Sequence, residues 1–156
     1  MHEHSYYAQL PKKRMAAGAL LLDPRNQVLI VQTVYRVKWL ILGGIIEADE
    51  SPRAGCTREI KEELGYLTIG RLLCIEYRSA EPQKSENMHY IFFGGYLQQQ
   101  HIAQIVLPLN ELRSYQFRPL AEAVPLPDAR LGRRLTLAWQ ALHEQRTIYT
   151  EDGREA

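Results

Sequence analysis

The chain has 156 residues, 46% of them hydrophobic and 24% charged, which suits one ordinary globular domain over residues 1–156 with a real core, and so one site rather than several. A formal net charge of +1 provides no field to hold a polyanion by charge alone, which argues against a nucleic acid polymer as partner. No apolar run approaches the roughly 20 residues of a membrane span, and the two cysteines, Cys56 and Cys74, lie in no CxxC pair, so a cytoplasmic protein away from membranes with two reduced, buried thiols is expected.

Residues 1–13 lack a sustained period and read as an N-terminal arm. His2 and His4 fit a solvated tail better than a metal site. Lys12-Lys13-Arg14 and the apolar run after them resemble the start of a signal peptide, but Asp23-Pro24 cuts the run short without a cleavage site, so it reads as a strand. Ala16 to Leu22 and Val28 to Val34 are of strand length, and Asp23-Pro24-Arg25-Asn26 between them is turn chemistry, which predicts a hairpin. A short apolar stretch, Trp39 to Leu42, runs into Gly43-Gly44, where missing side chains let the backbone bend or approach a ligand.

Ser51-Pro52 opens a helix with a hydroxyl for its N-cap and proline at its first position, and Gly65 supplies a left-handed stop, which predicts a helix from Pro52 to Leu64. Leu72 to Arg78 and His89 to Leu97 read as strands around a polar loop that contains Pro82. A third segment, Ile102 to Leu109, precedes a predicted short helical piece around Asn110 to Ser114. Leu131, Leu135, Ala138 and Leu142 share one helical face, which predicts a closing helix over 128–145. Its Arg130, Arg133 and Arg134 read as a solvated polar face. These elements together predict a layered α/β fold.

The chemistry concentrates on the central helix. With about 100° per residue counted from Ile60, Glu63 lies near −60°, Glu59 near −100° and Glu62 near −160°, so three acids share one arc. Cys56, Ile60 and Leu64 form an apolar stripe beside them that anchors the helix to the core. Clustered like charges repel, and hard carboxylate oxygens without His or Cys nearby suit magnesium, with manganese a possible substitute. A backbone carbonyl of Gly43 or Gly44 is close enough in sequence to join them.

The stretch from Gly44 to Tyr66 resembles the Nudix box, G-x5-E-x7-R-E-U-x-E-E-x-G-U with U aliphatic. Gly44, Glu50, Arg58, Glu59, Ile60, Glu62, Glu63 and Gly65 match it, an agreement expected by chance on the order of 10⁻⁹ per starting position. Tyr66 departs from the aliphatic last position, Leu42 stands where the family usually has proline, and Asp49 where glycine often precedes the glutamate. The resemblance implies an α/β/α sandwich with a mixed central sheet. It also implies a magnesium-dependent pyrophosphohydrolase that cleaves a nucleoside diphosphate linked to another group, such as a nucleotide sugar like ADP-ribose, or a nucleoside triphosphate.

On that resemblance Glu59, Glu62, Glu63 and Gly43 hold the metal, while Glu50, Arg58 and Gly65 shape the loop and helix. The general base is either the first helix glutamate, Glu59, or a later loop acid, for which Glu111 is the candidate and Glu81 and Glu86 are rivals. Arg36, Trp39 and Gly44 are candidates for substrate contact, with core packing the alternative for Trp39; Tyr77, His89 and Tyr90 are open between site and fold. Pro82 lies where relatives selective for ADP-ribose carry a proline. The partner is a small nucleotide, a homodimer is compatible with the family, and a nucleotide sensor without catalysis is the alternative function, with Leu42 its main support.

Overall fold

The computed structural model describes residues 3–35, 37–65 and 69–156. The apolar run behind the basic tail is strand β1 (Arg14–Leu22), preceded by α1 (Glu3–Gln9) and followed by β2 (Val28–Thr33), β3 (Trp39–Leu40) and β4 (Gly43–Ile45). Then come α2 (Pro52–Leu64), β5 (Leu72–Arg78), β6 (Asn87–Tyr96), α3 (Gln99–Ile102) and β7 (Leu112–Arg118). The chain ends with α4 (Leu120–Ala123), α5 (Ala129–His143), β8 (Ile148–Glu151) and β9 (Arg154–Glu155).

β1 is the axis of one mixed sheet. It runs parallel to β6 along its whole length and antiparallel to β4 through Ala16, Ala17 and Gly18. Because strand side chains alternate, β1 divides its apolar residues between two layers. Ala17, Ala19 and Leu21 join Cys56 and Ile60 under α2, whereas Leu20 and Leu22 join Leu135 and Ala138 under α5. The result is an α/β/α sandwich with a core on each face of the sheet. Both thiols are buried and free, and burial pushes them up to about 12. Among the described residues no helix is long and apolar enough to cross a membrane.

Several local expectations change. The arm contains an exposed helical turn or two, α1. The Asp23 turn forms, with the Asp23 carboxylate accepting from the N–H groups of Arg25 and Gln27 at 2.9 and 2.8 Å. The hairpin nevertheless pairs only at Leu22 and Val28, and β2 finds its long partner in β7. That partner occupies the stretch expected to be helical around Asn110 to Ser114, because β2 offers an edge that a seven-residue strand satisfies better than an isolated turn of helix. Ile102 to Leu109 is no strand; α3 ends there and the rest is irregular. The closing helix is followed by β8, parallel to β5, which extends the sheet.

Candidate active site

α2 starts and stops by local chemistry. The Ser51 hydroxyl accepts from the Ala54 N–H at 3.0 Å, Pro52 occupies the first turn, and Gly65 adopts φ 76° while its N–H donates to the Lys61 carbonyl at 2.7 Å. Gly55, Cys56, Ile60 and Glu63 are the buried face. Packing an acid in that face is the exception that marks the site.

Arg58 lashes the preceding loop to this helix. It donates to both oxygens of Glu50, from Nε at 2.8 Å and from Nη2 at 3.0 Å, and also to the Ile45 carbonyl at 3.1 Å. The Glu50 carboxylate also accepts from the Glu47 N–H at 3.0 Å. These bonds, Arg58 foremost, hold the Glu50 carboxyl down at about 2, and the hydrogen bonds to Glu50 and then to Glu59 push the Arg58 guanidinium up. Within the loop Asp49 takes φ 59°, the left-handed region where glycine is at ease. The aspartate at that position therefore meets a backbone demand that a glycine would meet with less strain.

Gly43 and Gly44 allow two close approaches. A Cβ on Gly43 would lie 2.2 Å from the Ala17 carbonyl oxygen, and one on Gly44 would lie 2.5 Å from Cδ of Glu59. The Glu59 carboxylate thus rests on bare backbone, and it accepts from Nη1 of Arg58 at 2.8 Å. Glu62 reaches outward, 58% exposed, with Arg58 3.7 Å away. Glu63 turns inward to 7% exposure. Burial, then the neighbouring Glu59, Glu111 and Glu62 charges, push its carboxyl up to about 8 against a hydrogen bond from the Gly43 N–H. One oxygen of Glu63, Oε2, is buried with no hydrogen-bond partner.

That orphaned oxygen is the observation a divalent cation would answer. Glu59, Glu62 and Glu63 carry only oxygen donors, a chemistry that suits a hard cation such as magnesium or manganese. Among the described residues no three His, Cys, Asp or Glu side chains are gathered into a closed cage. The acids are instead splayed, with Glu59 turned to Arg58 and only Glu63 turned in.

Glu111 sits at the turn before β7, its carbonyl accepting from the Val34 N–H at 3.0 Å, near enough to Glu63 to act on its charge. Glu81 and Glu86 are engaged elsewhere, by Arg130 and by Lys13 with the Tyr77 hydroxyl. A cleft of about 370 Å³ opens at Gly43-Gly44 on the α5 side and runs over Ala16 and Gly18 to His89, Tyr90 and Arg134. Tyr35 lines it, whereas Trp39 packs against the core under α5, since alternation in β3 points it there. Arg36, Tyr66 and His2 lie outside the described residues.

Sequence reasoning missed two residues of this region. Arg134 is no part of a solvated face: it pairs with Glu76, itself 2% exposed, across the α5–β5 interface. Arg78 is buried at the end of β5. A charge inside a strand-length apolar stretch, Leu72 to Arg78, was the available signal for the first.

Comparison with known proteins decides the family: a NUDIX domain model matches residues 12–140. The chain belongs to the Nudix family. Human diphosphoinositol polyphosphate phosphohydrolase 3-alpha is 32% identical over 74 residues, 46% of this chain and 45% of that protein. Rat diphosphoinositol polyphosphate phosphohydrolase 2 is 32% identical over 83 residues, 52% of this chain and 44% of that protein. This Nudix chain thus spans a little under half the length of those relatives. Among solved structures, the MutT protein from Methanosarcina mazei Go1 superposes with a TM-score of 0.68 at 21% identity, over 89% of this chain and all of that one (100%). A UDP-X diphosphatase superposes with a TM-score of 0.72 at 18% identity, over 96% of this chain and 76% of that one. At such identities the structures establish the fold alone.

Proposed function

We propose that this Nudix protein is a magnesium-dependent hydrolase that cleaves the diphosphate link of a nucleoside diphosphate joined to another group. The observation that carries the reading is the buried, unpartnered Oε2 of Glu63 beside Glu59 and the Gly43-Gly44 turn. The names of similar proteins, diphosphoinositol polyphosphate phosphohydrolase and UDP-X diphosphatase, have a diphosphate group in common. That common group is what the proposal carries over.

In this reading Glu59, Glu62 and Glu63, with the Gly43 carbonyl, hold the cation. When bound, it would neutralise charge on the diphosphate and make a water nucleophile available at neutral pH. Arg58 and Glu50 fix the loop, so that Gly43 and Gly44 present backbone to the diphosphate. The proton leaving the attacking water goes to a carboxylate oxygen of Glu111 or Glu59. The cleft beyond Gly44 is of a size for a nucleoside or a sugar, and Tyr35 and Tyr90 offer rings on its walls. Leu42, the departure that spoke for a sensor, is buried under α2, so its bulk is absorbed by the core.

The test is phosphate release, coupled to a phosphatase, from nucleoside triphosphates, ADP-ribose, other nucleotide sugars and dinucleoside polyphosphates, with magnesium or with EDTA. Magnesium-dependent turnover of one class supports the hydrolase. A folded protein that binds magnesium and nucleotide and turns over none of them is a sensor instead.

A further inference from the structure

The cleft does not end at His89. It opens into a second cavity of about 350 Å³ that shares Leu40, His89, Leu131 and Arg134 with the first. Its walls come from the loop between β5 and β6 and from the start of α5. Five cations line it, Arg14, Arg78, Lys84, Arg130 and Arg134, against two acids, Glu81 and Asp128.

Most of these charges have partners. Glu76 meets Arg134, Glu81 meets Arg130, and Arg14 donates to the Ser85 hydroxyl and carbonyl at 2.8 and 2.7 Å. Arg78 does not fit that pattern. Its side chain is 11% exposed, and its nearest carboxylates are Glu81 at 3.7 Å and Asp152 at 3.8 Å. Both are engaged elsewhere, Glu81 by Arg130 and Asp152 by the N–H and hydroxyl of Ser79. At those distances neither carboxylate accepts a hydrogen bond from the Arg78 guanidinium. Its N–H donors are therefore only loosely held by these acids and can turn to an acceptor in the cavity.

The same cavity holds the opposite deficit. Asn87 lines it, and Asn87 Oδ1 is buried with no hydrogen-bond partner. At the junction His89 stays neutral near pH 7, because burial and the facing Arg134, Arg78 and Arg14 lower its pKa to about 4, with only Asp128 opposing. A neutral imidazole and an amide oxygen suit hydroxyls, while a guanidinium suits a phosphate, which it can grip with paired N–H donors. One group with both features is a phosphorylated sugar.

The sheet register sets its distance from the proposed chemistry. Gly44 pairs with Ala17, and Asn87 pairs with Arg14 on the same strand. Three strand residues span roughly 10 Å, about one sugar with a phosphate on its far side.

We propose that this second cavity is a subsite for a phosphate borne by the sugar end of the substrate, with Arg78 its main ligand and Asn87 and His89 reading the hydroxyls. The specificity rests on the hydrolase reading above: the protein prefers diphosphate substrates that carry one further phosphate.

Binding is measured first by calorimetry in EDTA, so that turnover plays no part. Ribose 5-phosphate is expected to bind at least tenfold tighter than ribose. Arg78→Gln should reduce it to the level of ribose, and Lys84→Gln on the exposed rim should weaken it by about threefold through lost charge alone. Should Arg78→Gln fail to fold, the pair Arg14→Gln and Lys84→Gln decides, with a tenfold loss expected. Glu59→Gln should leave this binding as in the wild type. Equal binding of ribose and ribose 5-phosphate, no binding of either, or indifference to all these cationic substitutions overturns the subsite. Inorganic phosphate binding as tightly as ribose 5-phosphate overturns the sugar assignment. With magnesium, kcat/KM for NADPH should then exceed that for NADH tenfold. If neither of these nor any member of the substrate panel above is cleaved while ribose 5-phosphate binds as expected, the hydrolase reading fails and the subsite stands.

Discussion

Glu63 on α2 and Glu76 on β5 are both buried, at 7% and 2% exposure, yet the fold answers their charges in opposite ways. Glu76 meets Arg134 from α5, and the Thr150 hydroxyl lies 3.4 Å from its other oxygen. Glu63 meets Glu59, Glu62 and Glu111, with one backbone N–H in its favour and one oxygen unpartnered. A buried charge supplied with a counter-charge is part of the scaffold. One surrounded by like charges is a cost that the folded chain bears for something it binds.

Five substitutions would break or sharpen that contrast. The largest effect is expected from Glu63→Gln and Glu59→Gln, each lowering kcat on the order of a thousandfold, about 4 kcal/mol in the barrier. In EDTA, Glu63→Gln should keep or raise the urea midpoint, since repulsion is relieved. Arg134→Met should do the reverse, removing about 3 kcal/mol of stability by leaving Glu76 buried without its partner. If Glu63→Gln destabilises as much as Arg134→Met does, both glutamates are structural and the contrast collapses.

A smaller effect depends on pH. His89 is lowered from 6.5 to about 4, so as pH falls the unfolded chain takes up a proton first and the folded protein only near the bottom of that window. Stability is therefore full above about 6.5 and declines toward 4, by on the order of 1 kcal/mol for a group still partly open to water. Denaturation midpoints of wild type and His89→Asn, measured from pH 7 to 4.5, should converge as pH falls; parallel curves would mean that His89 titrates normally. The smallest effect is Asp49→Gly, which relieves the left-handed φ of 59° and should add about 0.5 kcal/mol of stability, read as a rise in urea midpoint with unchanged slope.

What was legible in the chain was written locally. Ser51, Pro52 and Gly65 bound α2 at the residues expected, and the period of Cys56, Ile60 and Leu64 tells which side faces the core. The acidic arc follows from the same period, and the closing helix was equally clear from its stripe. Arg58 and Glu50, eight residues apart, needed the family pattern to be noticed, because no helical or strand period connects them.

Partner choice was not local. β1 could have paired along its length with β2, its neighbour in sequence, but lies beside β6 and β4, while β2 takes β7. Leu112 to Arg118 carries too mixed a pattern to announce a strand, and only the free edge of β2 makes it one. Burial of Glu63 against Gly43, of Glu76 against Arg134 and of Arg78 at the second cavity likewise arises where distant segments meet. Caps and periodicity act over a few residues, so the sequence by itself determined the central helix and the face its acids share. Strand pairing and the desolvation of charge depend on which surfaces close over one another, and these the tertiary structure alone decided.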